Sequence, residues 1–177
     1  MTDPSALEQK LHALRDSFDR SFAEASTAER PLQLDFLAIR VAGDPYALRM
    51  SEVQSLHADR ALVTAPSLVD GLLGVAGFRG VLTPIYDLSL LLGYARQPAP
   101  KWLVVARNAA PIGFAFETFE AHLRASPERV SSAELGAEGA LRGAVESGSR
   151  ALPLLHLPSL IDGIARRIKD FEQTQER

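Results

Sequence analysis

Apolar residues recur along this chain at two different periods. From residue 3 to residue 25 they step by three and four, with Leu7, Leu11, Leu14, Phe18 and Phe22 on one face, which predicts an amphipathic helix. Ser5 and Glu8 form a capping box at its start, and Asp16 with Arg20 is a favourable acid-first pair on the far face. The polar segment from Ser26 to Pro31 ends it. A helix lying on its own domain and a docking helix both fit this pattern; barely two heptads favour the first. From Leu32 the period falls to two. Leu37, Ile39 and Val41 share one face and Phe36 and Ala38 the other, so a strand covered on both sides is expected. Gly43, Asp44 and Pro45 are the expected turn, and Tyr46, Leu48 and Met50 the returning strand of a hairpin. Val53 and Leu56 lead toward a further strand near Leu62 to Thr64, which Pro66 closes.

A second cluster follows the proline-containing connection from Tyr94 to Pro100. Lys101 to Arg107 and Ile112 to Phe119 are predicted strands around the turn Asn108 to Pro111, with Phe114 and Phe116 on one face. Residues 131 to 149 offer only Leu135, Leu141 and Val145 for burial, so a loop with a short strand at Leu141 to Val145 is expected. Ala151 to Leu157 is the last predicted strand. Leu160, Ile161, Ile164, Ile168 and Phe171 then mark a C-terminal amphipathic helix beginning near Pro158. Short strands in two hairpin-led clusters, without crossover helices, predict a mainly β fold of two small barrels flanked by terminal helices. The expected organisation is a helical extension over 1–30 and one domain over 31–177. Within that domain the barrel halves are placed at about 31–93 and 101–157, and the C-terminal helix at 158–174.

The stretch from Gly71 to Gly93 is the most informative. Gly71, Gly74, Gly77 and Gly80 stand three apart, which argues against a regular helix. Val81 to Tyr86 reads as a strand, Pro84 implies an edge or a bulge in it, and Asp87 suits the cap of a short leucine-rich helical turn. Arg79, between Phe78 and Gly80, is held on a tight turn where its planar fork can pair with a carboxylate. That carboxylate can belong to the fold or to a partner.

Composition removes most other chemistry. The chain has 177 residues, 46% of them hydrophobic, enough to build one domain with a real core. A net charge of -3 gives no general field for nucleic acid. With no cysteine, thiolate catalysis, disulfides and cysteine-ligated metals are excluded. The four histidines, His12, His57, His122 and His156, show no metal-binding spacing, so no metal and no cofactor is expected. The glycine stretch lacks a following Lys-Ser or Lys-Thr and runs into a strand, so it fails as a phosphate loop. No catalytic serine motif is present, and a small Ser/His/Asp hydrolase is the one enzymatic alternative, without a motif behind it. No segment approaches a membrane span and the N-terminus has no leader pattern, so a cytoplasmic protein without membrane insertion is expected.

The run GVAGFRGVLTPIYDLSLLLG, Gly74 to Gly93, resembles the hallmark of CheW-like chemotaxis coupling domains, G-V-x-N-L-R-G-x-x-x-P-V-x-D-L followed by a short apolar helix and Gly. Gly74, Val75, Arg79, Gly80, Pro84, Asp87 and Leu88 match it at the same spacing. The resemblance covers about Leu34 to Ile161. It implies two SH3-like five-stranded barrels sharing a core, and a scaffold or adaptor in signal transduction, not an enzyme. The implied partners are the regulatory domain of a CheA-type histidine kinase and the cytoplasmic tip of a methyl-accepting chemoreceptor. On this basis Val53, Phe78, Arg79 and Gly80 are expected at the receptor-facing groove, with Gly74, Pro84, Asp87 and Leu88 as structural motif positions. The chain departs from the pattern at Gly77, usually Asn; at Phe78, usually Leu; at Ser55, often acidic; at Glu117, usually Asp; and at His156, usually Asp. A divergent member is the alternative: one that serves a pilus or gliding system, caps or competes in the array, or binds a single partner.

Overall fold

The computed structural model of the protein describes residues 32–66, 70–96, 100–135 and 139–175. Gln33–Arg177 forms one compact unit. The helix expected over residues 3 to 25 lies outside the described residues. The strands are β1 (Leu34–Val41), β2 (Asp44–Arg49), β3 (Val53–Ala58), β4 (Leu72–Phe78), β5 (Val81–Asp87), β6 (Trp102–Ala106), β7 (Gly113–Phe116), β8 (Thr118–Ala125), β9 (Val130–Leu135), β10 (Leu141–Ser147) and β11 (Arg150–Leu155). Among the described residues two α-helices accompany them, α1 (Leu88–Leu91) and α2 (Leu157–Gln175), with single 3-10 turns at Met50–Glu52 and Pro127–Arg129.

The strands make two sheets. One has six strands in the order β8-β1-β2-β11-β10-β9, the other five in the order β3-β6-β7-β5-β4. Neither order returns to its first strand, so the expected pair of five-stranded barrels is replaced by two sheets not closed by a ladder. Nor do the sheets follow the two halves of the chain. β1 and β2 from the first half join four strands of the second, while β6 and β7 join β3, β4 and β5. Each half therefore contributes a hairpin to the other's sheet.

This exchange explains why strand after strand reads as apolar on both sides. Leu37, Ile39, Val41 and Leu48 of the six-stranded sheet meet Tyr86, Val104, Phe114 and Phe116 of the five-stranded sheet in one shared core. Alternate residues Phe36, Ala38, Ala47, Val145 and Leu152 fill a second cluster on the far face of the first sheet. Ala76, Ile85, Leu103 and Ala115 fill a smaller one on the far face of the second sheet. Helix α2 buries Leu157, Leu160 and Ile164 in the shared core and leaves Arg166 and Lys169 exposed.

Several local expectations are corrected. The first hairpin turns at Ala42 and Gly43, both at positive φ, because Val41 pairs with Asp44; Pro45 already lies within β2 opposite Arg40. Leu62 to Thr64 is no strand but a single bridge from Val63 to Val75. The strand expected over Ile112 to Phe119 divides after Phe116, and its continuation β8 crosses to the other sheet. The loop expected over residues 131 to 149 contains β9 and a longer β10. Helix α2 begins one residue before Pro158.

Of the edge or bulge expected at Pro84, the edge is not found, since β5 lies between β7 and β4, whereas the β4–β5 ladder shifts register beside it, between Leu72 and Gly74 opposite Tyr86 and Ile85. Opposite Pro84, Val75 gives its N–H and C=O to Val63, at 2.8 and 2.9 Å, and so points both away from β5. In an antiparallel pair the opposed residue points away likewise, so Pro84 turns its missing N–H toward β7. Pairing with β7 begins only at Ile85. The proline sits where the ladder needs no donor.

Candidate functional site

Strands β4 and β5 are joined by a two-residue turn, Phe78 pairing directly with Val81. Arg79 and Gly80 both have positive φ, 49° and 82°. Two positive values define the type I′ turn whose twist suits a hairpin, and such turns favour Asn-Gly. Arg79 holds its place at a cost of about 1 to 2 kcal/mol relative to a residue without a Cβ. Further along the motif, Gly74 has φ 149° and lies against Val63, whose carbonyl oxygen any Cβ there would strike. Asp87 caps α1, its Oδ1 accepting from the Ser89 N–H at 2.9 Å and from the Ser89 hydroxyl at 2.6 Å. Leu88, the first residue of that helix, is fully buried. The hairpin is thus fixed at its base by Asp87 and Leu88, along its length by the Val63 bridge, and at its tip by the turn.

Beside the tip opens a cavity of about 550 Å³. Period-two alternation builds its wall. Ser55 and His57 of β3, Val105 of β6, and Val81 and Thr83 of β5 lie on the face of the five-stranded sheet opposite the shared core. Phe78, Arg79 and Arg60 form the rim, and Asn108 and Pro111 of the β6–β7 connection close another side. The cavity continues the small apolar cluster around Ile85 and Leu103, against which Phe78 also packs.

The lining residues are organised by cations and an aromatic ring. The Arg60 guanidinium stands over the Phe78 ring at 5.4 Å, and the His57 ring lies 4.5 Å from the same ring. His57 Nε2 is 2.9 Å from Ser55 Oγ. Burial first, then the charges of Arg60 and Arg79, hold the His57 imidazole below its usual range. Among the described residues no carboxylate lines the cavity. Among the described residues no ion pair involves Arg79 or Arg60, so the internal salt bridge that could have pinned the turn is not what holds Arg79. At the wall, Thr83 is 1% exposed and its hydroxyl has no hydrogen-bond partner among the described residues.

The structure therefore brings Phe78 and Arg79 together, with Gly80 completing their turn. Val53 stands apart, 5% exposed inside the shared core, its N–H donating to the Met50 carbonyl and its carbonyl accepting from the Arg107 guanidinium at 3.2 Å. Ser55, His57, Arg60 and Thr83 were not anticipated as neighbours of Arg79. Their alternation, Ser55 with His57 and Thr83 between Val81 and Ile85, was visible as polar residues on one face of two strands, but the pairing of those strands across the sheet was not.

A second, shallow cleft of about 60 Å³ lies where β6 meets α2, lined by Glu52, Arg107, Leu157, Pro158, Ile161 and Asp162 among others. Glu52 Oε2 accepts from the Leu157 N–H at 2.9 Å, and His156 Nδ1 accepts from the Ser159 N–H at 3.2 Å. These two side chains cap the start of α2.

The family profile for the CheW-like domain matches residues 35–165, which include every residue lining both sites. The chain belongs to the CheW-like domain family. The scaffolding protein TtCheW from Thermoanaerobacter tengcongensis has the same fold, with a TM-score of 0.64 and 12% identity over 71% of this chain and 90% of that one. No curated protein sequence matches. Members of the CheW-like family are scaffold proteins of chemotaxis signalling and not enzymes. Within that family frame, Gly74, Gly80, Pro84, Asp87 and Leu88 have the structural duties described above. Gly77, where the family prefers Asn, has neither a positive φ nor any atom near a Cβ position. Among the described residues no group of three or more His, Asp or Glu side chains could hold a metal ion, and no helix is long and apolar enough to cross a membrane.

Proposed function

We propose that this protein is a non-enzymatic adaptor that couples a chemoreceptor tip to the regulatory domain of a CheA-type histidine kinase, and that the Phe78–Arg79–Gly80 turn belongs to its partner-binding surface. One observation carries this reading. Arg79 is exposed, held at a conformation that disfavours it, and among the described residues pairs with no carboxylate. Strain without an internal return points to a role outside the fold. Val81 and Leu82, 49% and 72% exposed, continue the turn as apolar contact area on β5. The six-stranded and five-stranded sheets correspond, in this reading, to the two barrels of the family, and the cleft at Glu52 and Asp162 to part of the groove between them. Contacts of this size are individually weak, and an array supplies avidity.

The test is capture of the two partners. Immobilised full chain should retain both a CheA-type kinase regulatory domain and a chemoreceptor cytoplasmic fragment at micromolar concentrations, and Arg79→Asn should lower at least one capture about tenfold, the scale of a lost charge-assisted hydrogen bond. Retention of neither partner contradicts the proposal. Retention of one alone supports the divergent reading, a member that caps or competes.

A further inference from the structure

Beyond the adaptor role, we infer that the cavity beside the β4–β5 turn is a binding site for a small organic anion, a carboxylate or phosphate carried on a planar apolar body. Four observations converge on this chemistry. The volume, about 550 Å³, falls within the ordinary range for small-ligand sites. Two guanidinium groups, Arg60 and Arg79, stand at the rim without an ion pair among the described residues, and no carboxylate lines the walls. Such a site attracts an anion and repels a cation. Phe78, met by the His57 ring at a 40° tilt and by the Arg60 guanidinium over its ring, offers aromatic surface to a planar group, and Val81, Val105 and Pro111 offer apolar walls.

The fourth observation is independent of charge. Thr83 lines the cavity, is 1% exposed, and its buried hydroxyl has no hydrogen-bond partner among the described residues, an arrangement that native interiors avoid. A bound ligand with a polar atom at the wall satisfies it. Ser55, His57 and Asn108 add neutral donors and acceptors around the same space. The distribution is that of an amphiphile: an anionic head at the arginine rim, a flat body along Phe78, and a polar contact to Thr83. A side chain inserted by a partner protein would use the rim alone and leave the inner wall unmatched.

The experiment uses the full chain with 2-naphthoate as probe and 2-naphthamide as its neutral counterpart, followed by calorimetry and by amide chemical shifts. A ligand of this size in one pocket is expected to bind at about 10 µM to 1 mM. Naphthoate should saturate one site in that range, move the amides of Ser55, His57, Phe78 and Thr83, and weaken as salt is raised; naphthamide should bind about tenfold less tightly. Arg60→Gln, at an exposed position, should weaken naphthoate about fivefold or more. Thr83→Val should weaken it too while raising the melting temperature of the free protein, since it removes the unpartnered hydroxyl. Equal affinity for the acid and the amide, no saturation by about 10 mM, or shifts mapping elsewhere would overturn the inference. So would binding of a Glu-containing peptide at the rim with naphthoate excluded. Partner capture is measured separately, so a cavity that refuses the anion leaves the adaptor proposal standing, and the reverse also holds.

Discussion

At the scale of single residues, the hairpin motif divides into positions the fold requires and positions it does not. Gly74 is required: its φ of 149° and the Val63 carbonyl beside it leave no room for a Cβ. Gly74→Ala should cost about 2 to 4 kcal/mol, read as a lowered urea midpoint. Gly77, three residues on, is exposed with open space around it and no positive φ. Gly77→Ala should stabilise by about 0.5 to 1 kcal/mol, because it lowers only the freedom of the unfolded chain. The even spacing of the four glycines therefore has no common cause. Arg79 is the inverse case, a side chain that the backbone disfavours. Arg79→Asn should raise stability by about 0.5 to 1 kcal/mol in the same urea experiment while weakening partner capture, a combination that a structural arginine would not give.

At the scale of elements, α2 depends on two side chains from outside its own turns. Glu52 takes the Leu157 N–H, and Glu52→Ala should cost about 1 to 2 kcal/mol, with Glu52→Gln retaining most of the stability. His156 accepts with Nδ1 and must be neutral to do so. Burial above all, with Arg142 and Arg49 adding to it and Glu52 and Asp162 opposing, holds its imidazole below the usual 6.5. A lowered value in the fold means that the unfolded chain takes up the proton first. The stabilisation is therefore complete above about pH 6.5 and is lost as the pH falls from there toward the folded value. The urea midpoint should fall between pH 7.5 and pH 5.5, and His156→Asn, which keeps an acceptor without titrating, should flatten that fall; His57, whose shift has the same sign, contributes to what remains.

The elements also show what could be read from the sequence. β1, β2, β5, β6, β7 and α2 were legible because apolar alternation or helical spacing was strong and turn residues bounded them. β9 and the far end of β8 were not, since their residues, such as Ser131, Ser132, Arg124 and His122, are polar and pair at the outer strands of the six-stranded sheet. The edge alternative for Pro84 failed because the rule for proline concerns hydrogen-bonding direction, which residue order alone does not reveal, while the bulge alternative agrees with the register shift next to it.

At the scale of the whole molecule, the exchange of hairpins between the halves of the chain is the feature least visible in the sequence. Parallel pairs, β2 with β11 and β5 with β7, tie the first half to the second across long separations, and no local pattern announces them. The same exchange assembles the cavity, since β3 and β5 from before the proline connection enclose it together with β6 and the β6–β7 connection from after it. Arg79 could be singled out from its motif, whereas Thr83 and His57 became its neighbours only through this topology. The adaptor reading rests on that assembled surface, with the exposed Arg79 turn at one end of the five-stranded sheet and the Glu52 cleft against α2. The most direct measurement is co-sedimentation of a CheA-type kinase with membranes carrying a chemoreceptor, with and without the full chain. Kinase in the pellet should rise severalfold when the chain is added, and Arg79→Asn should remove most of the rise; kinase recovery that does not change with the chain present would contradict the adaptor role.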